Sequence, residues 1–186
     1  MSAELTVERG LRTPEILEKG AGVCLLVVTP DGLFCAIQEK SSKRITQKLK
    51  GMFSAPFETV EAGESHQQAL VRITQEEVRM ETERLIMGPE LCRIQLDPGV
   101  WLHTYVAIAE EKINLQDGIF EDEVSGACWI PLEEVENPTN KRFRPGMREI
   151  VESYRAFLAE GEAFRTCIYF TYRDRISEEE FAAAGV

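Results

Sequence analysis

The chain has 186 residues, a size that suits one domain, and 44% of them are apolar, enough for a packed core and too many for a disordered chain. Its 32 acidic residues outnumber 21 basic ones, and the net charge of −11 argues against a nucleic acid partner. No apolar run nears the ~20 residues that span a bilayer, and Met1-Ser2-Ala3-Glu4-Leu5 lacks the basic start and apolar stretch of a secretion signal.

Five cysteines, Cys24, Cys35, Cys92, Cys128 and Cys167, are scattered through apolar runs without a C-x-x-C pair. That pattern predicts reduced, buried thiols in a cytoplasmic protein and excludes a cysteine-built zinc site.

In chain order, Thr13-Pro14-Glu15 predicts a helix start, with Gly20 as its stop. Val23 to Thr29 is a continuous apolar run, the mark of a strand buried on both faces. Pro30-Asp31-Gly32 is a turn signal, and Leu33 to Gln38 closes a hairpin. Lys40 to Lys50 is a polar loop that gathers Lys40, Lys43, Arg44, Lys48 and Lys50. It reads either as a solvated loop or as a loop that faces phosphate.

Ser65 and Gln68 form a capping box for a helix running to about Met80. Leu91 to Leu96 and Val100 to Ala109 are strand candidates. In the second, Leu102, Thr104, Val106 and Ile108 alternate with Trp101, His103, Tyr105 and Ala107. Gly126 to Ile130 predicts a short strand, and Pro131 to Glu134 a helical turn. Met147, Ile150, Val151, Tyr154, Phe157 and Leu158 have the spacing of an amphipathic helix after Pro145. Cys167 to Tyr172 predicts a last strand, read as an edge that a second subunit extends into a homodimer. Ser177 and Glu180 cap a terminal helix. Strands interleaved with helices predict a layered α/β domain.

Chemistry concentrates between Gly51 and Met80. A turn at Ala62-Gly63 leads into the capped helix, whose apolar stripe of Ala69, Leu70, Ile73 and Met80 has Glu77 in its middle. A carboxylate aimed at a core is costly unless it is paired or binds a metal. Rotation of the helix, with Glu77 reaching water or a basic neighbour, is the other reading.

These residues resemble the Nudix family. The box of that family runs Gly, five residues, Glu, seven residues, then Arg-Glu-aliphatic-x-Glu-Glu-x-Gly-aliphatic. Glu64, Arg72, Glu76, Glu77 and Met80 fall in its register, as do Gly51-x-Phe53-x-x-Pro56 and Val60-Glu61-x-Gly63-Glu64. Glu123 through Leu132 is similar to a segment near the end of the Nudix sheet. The departures are Phe57 and Glu58 in place of two glycines, Ile73 in place of a glutamate, and Arg79 in place of a glycine.

The resemblance implies an α/β/α sandwich around a mixed central sheet. It covers the Nudix-like domain, 21–160, and leaves residues 1–20 as an N-terminal extension outside it. Residues 161–186 add a strand and short helix packed on the same domain. It implies a Mg²⁺- or Mn²⁺-dependent hydrolase that cleaves a small-molecule diphosphate linked to another group. Glu76 and Glu77 would be metal ligands and catalytic, with Glu58 as a compensating ligand. Glu123, beside Glu121 and Asp122, would act as base or extra ligand, or else belong to a solvated acidic loop. Lys43 and Arg44 would hold phosphates, and Glu64 and Arg72 would form a structural ion pair. Ile73 removes one ligand and leaves a methyl-rich surface. The rival reading is a non-catalytic module that binds a nucleotide-like ligand or a protein. His103 reads as a ligand contact or a hydrogen-bonded structural histidine, and His66 as an exposed first-turn residue.

Overall fold

A computed structural model of the chain describes residues 6–8, 20–44, 47–97, 100–113, 115, 124–160, 166–169 and 176–185. In chain order these form β1 (Thr6–Glu8), β2 (Gly20–Val28), β3 (Leu33–Glu39), β4 (Phe53–Ser54), β5 (Phe57–Thr59) and α1 (His66–Glu76). A short 3₁₀ turn at Thr82–Arg84 leads to β6 (Leu85–Asp97) and β7 (Val100–Ala109). Then come β8 (Val124–Pro131), α2 (Leu132–Glu136), α3 (Met147–Glu160), β9 (Thr166–Tyr169) and α4 (Glu178–Ala183).

The strands form one mixed sheet with path β1-β9-β6-β7-β2-β3-β4, while β5 pairs with β2 and β8 with β3. The axis is β2, parallel to β7 along its whole length and antiparallel to β5 at Gly22 to Cys24. Seven consecutive buried residues in β2, Gly22 to Val28, match a strand covered on both faces. Alternation then sorts the core into two layers. Cys24, Leu26, Val28, Leu102 and Val106 join α2 and α3 through Leu132, Met147, Ile150 and Tyr154. Val23, Leu25, Val27 and Ala107 join α1 through Ala69, Leu70 and Ile73. The result is the expected α/β/α sandwich.

Several expectations change. The helix expected after Thr13 lies outside the described residues, and Gly20, expected as its stop, is the first residue of β2. The last strand is not an edge: β9 lies between β1 and β6, hydrogen-bonded to both, so it offers no open edge to a second subunit. Leu158 is 55% exposed, because α3 turns only Met147, Ile150, Val151, Ser153 and Tyr154 fully inward. The loop from Lys40 is not wholly solvated, since Lys48 and Gln47 are buried. The thiols of Cys24, Cys35 and Cys92 are free and buried, and burial pushes each of them up out of the reactive range.

Candidate active site

The segment before α1 is held from two sides. Phe53 exchanges backbone hydrogen bonds with the strip before α3: its N–H donates to the Arg142 carbonyl at 2.8 Å, and its carbonyl accepts from Arg144 N–H at 2.9 Å. The Ala55 N–H donates to the Met147 sulfur at 3.1 Å. On the other side, β5 lies tight against β2. A Cβ on Gly22 would meet Leu102 Cδ1 at 3.1 Å and the Glu58 carbonyl oxygen at 3.2 Å, so glycine is what admits β5 there.

Phe57 and Glu58 then point to opposite faces of the sheet. The Phe57 ring lies toward α3 with the Arg144 guanidinium 4.3 Å from its centroid. Arg144 is buried, and its Nη1 donates to Glu39 Oε1 at 2.7 Å while Lys48 Nζ donates to Glu39 Oε2 at 2.8 Å. This triad ties β3, the basic loop and the strip before α3 together. Sequence reasoning missed it. The one signal was Lys48 in a cluster of lysines, and nothing local pairs it with Glu39 or Arg144.

After β5 the chain turns at Gly63, whose φ of +84° suits glycine. Ser65 caps α1 with the full capping box, as expected. Arg72 braces turn against helix. Its Nε and Nη2 donate to Glu64 at 3.0 and 2.9 Å, and Nη2 also reaches the Thr59 carbonyl at 2.9 Å. That hydrogen bonding, joined by the Glu61 N–H, holds the Glu64 carboxyl below its ordinary range. Its hydrogen bond to Glu64 foremost, with the charges of Glu64, Glu61 and Glu58 adding, raises Arg72 in turn. Glu76 approaches it from the helix at 3.7 Å.

The helix is shorter than its stripe predicts. It ends at Glu76, with Glu77 as its cap. Arg79 then adopts a φ of +52°, and the Met80 N–H turns back to the Thr74 carbonyl at 2.8 Å. Met80 and Val78 reach the core through this turn rather than along the helix face. Glu77 therefore sits half-buried at the end of the helix instead of mid-stripe. Ile73 is fully buried in the α1-side core, not a methyl-rich surface, because α1 turns Ala69, Leu70, Ile73 and Thr74 inward.

Of the remaining candidates, Glu58 Oε1 accepts its neighbour Thr59's N–H at 2.9 Å. Glu121, Asp122 and Glu123 lie outside the described residues. Lys43 bridges Lys48 through the backbone and is exposed. Arg44 pairs with Glu178 and lies 5.4 Å from the Phe181 ring centroid, so α4 covers this loop. His66 is not simply exposed. It is half-buried, with its Nδ1 2.9 Å from the Tyr105 hydroxyl and its ring 4.3 Å from that of His103. His103 is buried and bonded to Glu90 at 2.8 Å, the structural arrangement.

Among the described residues no group of three or more His, Cys, Asp or Glu gathers as a metal cage. Mg²⁺ keeps several waters and takes one or two carboxylates together with substrate phosphates. Glu76 and Glu77 supply hard oxygen donors of that kind, so the donor set fits such a cation.

A family model for the NUDIX domain matches residues 18–154. No curated protein matches the chain. Among solved structures, it is similar to the Ap4A hydrolase of C. elegans in a binary complex, at 20% identity and a TM-score of 0.56, over 75% of this chain and 98% of that one. It is similar to the MutT protein from Methanosarcina mazei Go1, at 16% identity and a TM-score of 0.54, over 77% and 95%. The NUDIX domain of Shewanella oneidensis NrtR complexed with ADP ribose aligns at 17% identity and a TM-score of 0.54, over 74% and 87%.

Proposed function

The chain belongs to the NUDIX domain family, and from that premise we propose that it is a Nudix-type hydrolase cleaving a diphosphate linked to another group, with a nucleoside on one side. The observation that carries this reading is the Arg72 brace. It clamps the turn bearing Glu61 and Glu64 onto α1 and brings Glu76 to the same guanidinium.

In this reading Glu76 and Glu77 hold Mg²⁺ or Mn²⁺, with Glu58 as a further oxygen donor. Bound there, the cation supplies charge neutralisation for the phosphates and a more acidic water. The chain's own residues do the rest. Arg72 fixes the turn, Lys43 and Arg44 add positive charge for the phosphates, and Glu123 is the candidate base. The buried free thiols fit a cytoplasmic setting.

A second reading, a module that binds without turnover, is favoured by the burial of Ile73, which leaves α1 with two candidate ligands. One experiment separates the two. The protein is incubated with a panel headed by Ap4A and ADP ribose, the compounds named for two of the neighbours, with Mg²⁺ or Mn²⁺. Product release that Glu77→Gln abolishes supports the hydrolase. A rise in melting temperature with the ligand recovered intact supports the binding module. Turnover unchanged in Glu77→Gln overturns the role given to that residue.

A further inference from the structure

The basic loop is held at both ends. At its base the Lys43 and Lys48 backbones bridge each other, and Lys48 Nζ donates to Glu39 Oε2 at 2.8 Å. At its tip it meets α4. Phe181 and Ile176 are buried, so α4 docks through apolar anchors. The Ile176 N–H donates to Gln47 Oε1 at 2.8 Å, and Gln47 Nε2 donates to the Arg44 carbonyl at 3.0 Å. Gln47 has a φ of +46°, so the bond from Ile176 reaches the loop where its backbone is least favoured.

The acidic first turn of α4 faces two cations. Glu178 pairs with Arg44. Glu180 Oε1 accepts from Lys141 Nζ at 3.1 Å, while its Oε2 completes the capping box with Ser177. Lys141 belongs to the strip that leads to α3, far from Arg44 in sequence. Glu178 and Glu180 stand within one helical turn, ~5.4 Å of axis, so α4 brings the two cations within reach of one short ligand.

We propose that Arg44 and Lys141 form one polyphosphate-binding site and that α4 is its built-in competitor, with Glu178 and Glu180 holding the two cations until a phosphate chain displaces them. This rests on the reading of the basic loop as phosphate-facing, and adds to it Lys141 and a means of control. The side chains of Arg44 and Lys141 are 47% and 82% exposed, and ion pairs so exposed contribute little stability. Phe181, Ile176 and the bond to Gln47 hold α4 without them, so the two carboxylates can leave their cations while the helix stays docked. Each carboxylate engages one cation. A polyphosphate engages both through one chain, and its second contact forms at high effective concentration. The exchange therefore favours a ligand with several phosphates over orthophosphate or a simple carboxylate.

The test is calorimetric binding of inorganic tripolyphosphate to the full chain, without divalent cations. The ionic strength is roughly 0.15 M, where fields beyond ~8 Å are screened. Glu178→Gln and Glu180→Gln should each tighten binding roughly two- to five-fold. Glutamine at position 180 preserves the capping box, so the start of α4 is retained. Glu179→Gln, exposed on the same turn, controls for net charge and should tighten binding less than either. Arg44→Gln and Lys141→Gln should each weaken binding roughly five-fold or more. If Arg44→Gln and Lys141→Gln weaken binding but the three glutamate variants tighten it equally, or not at all, the competitor is overturned and the phosphate-facing loop stands. Tripolyphosphate bound equally by the parent, Arg44→Gln and Lys141→Gln, or bound by no form of the protein, overturns the site and the reading of the loop with it.

Discussion

Arg72 grips Glu64 through two nitrogens, at 3.0 and 2.9 Å, and spends the second of them on the Thr59 carbonyl as well. One planar side chain thus fixes a turn in three places, which an ammonium cannot reproduce. Arg72→Lys should lower Tm by about 2–4 °C, read by calorimetry. The pairing also has a pH signature. Glu64 is held below its ordinary value of 4.5, so its contribution is present above that pH and is lost as pH falls through the lower folded value. Glu64→Gln should flatten the stability profile on that acid limb, and an unchanged profile would show that the brace contributes nothing.

Ile73 tests which way α1 faces. Its side chain is 0% exposed, so Ile73→Glu should bury a charge rather than add a metal ligand. It should cost about 3 kcal/mol or more, against about 1 kcal/mol for Ile73→Val, in urea titrations. A well-folded Ile73→Glu that binds Mn²⁺ more tightly than the parent would reverse this assignment of the helix face.

Arg79 stands at a φ of +52°, a left-handed conformation in which a Cβ is penalised. Arg79→Gly should be more stable than Arg79→Ala by about 1 kcal/mol. Both variants lose the arginine side chain, so the comparison isolates the backbone. Equal stabilities would place no strain at this turn.

Glu39 holds two buried cations, Lys48 at 2.8 Å and Arg144 at 2.7 Å. Glu39→Gln keeps the shape and removes the charge that compensates both. The expected loss is about 3–5 kcal/mol, measured by chemical denaturation. A loss of less than about 1 kcal/mol would mean that the triad behaves like an exposed pair.

The sequence by itself determined the layered α/β architecture and the capped start of α1, and its resemblance to the Nudix box implied the pairing of Glu64 with Arg72. These rest on local signals, since strand runs, capping boxes and a fixed spacing within one motif act over a few residues. Where α1 ends was not legible, because a 3.6-residue pattern continues through Met80 whether the backbone stays helical or turns at Arg79. Tertiary structure decided that Ile73 is core, that Glu77 sits at a helix end, and that β9 is interior. It also decided the partners of Glu39, Lys48 and Arg144, and of His66 and His103. The contacts of Arg144 with Glu39 and of His66 with His103 join segments far apart in the chain, so no short window of sequence contains both halves.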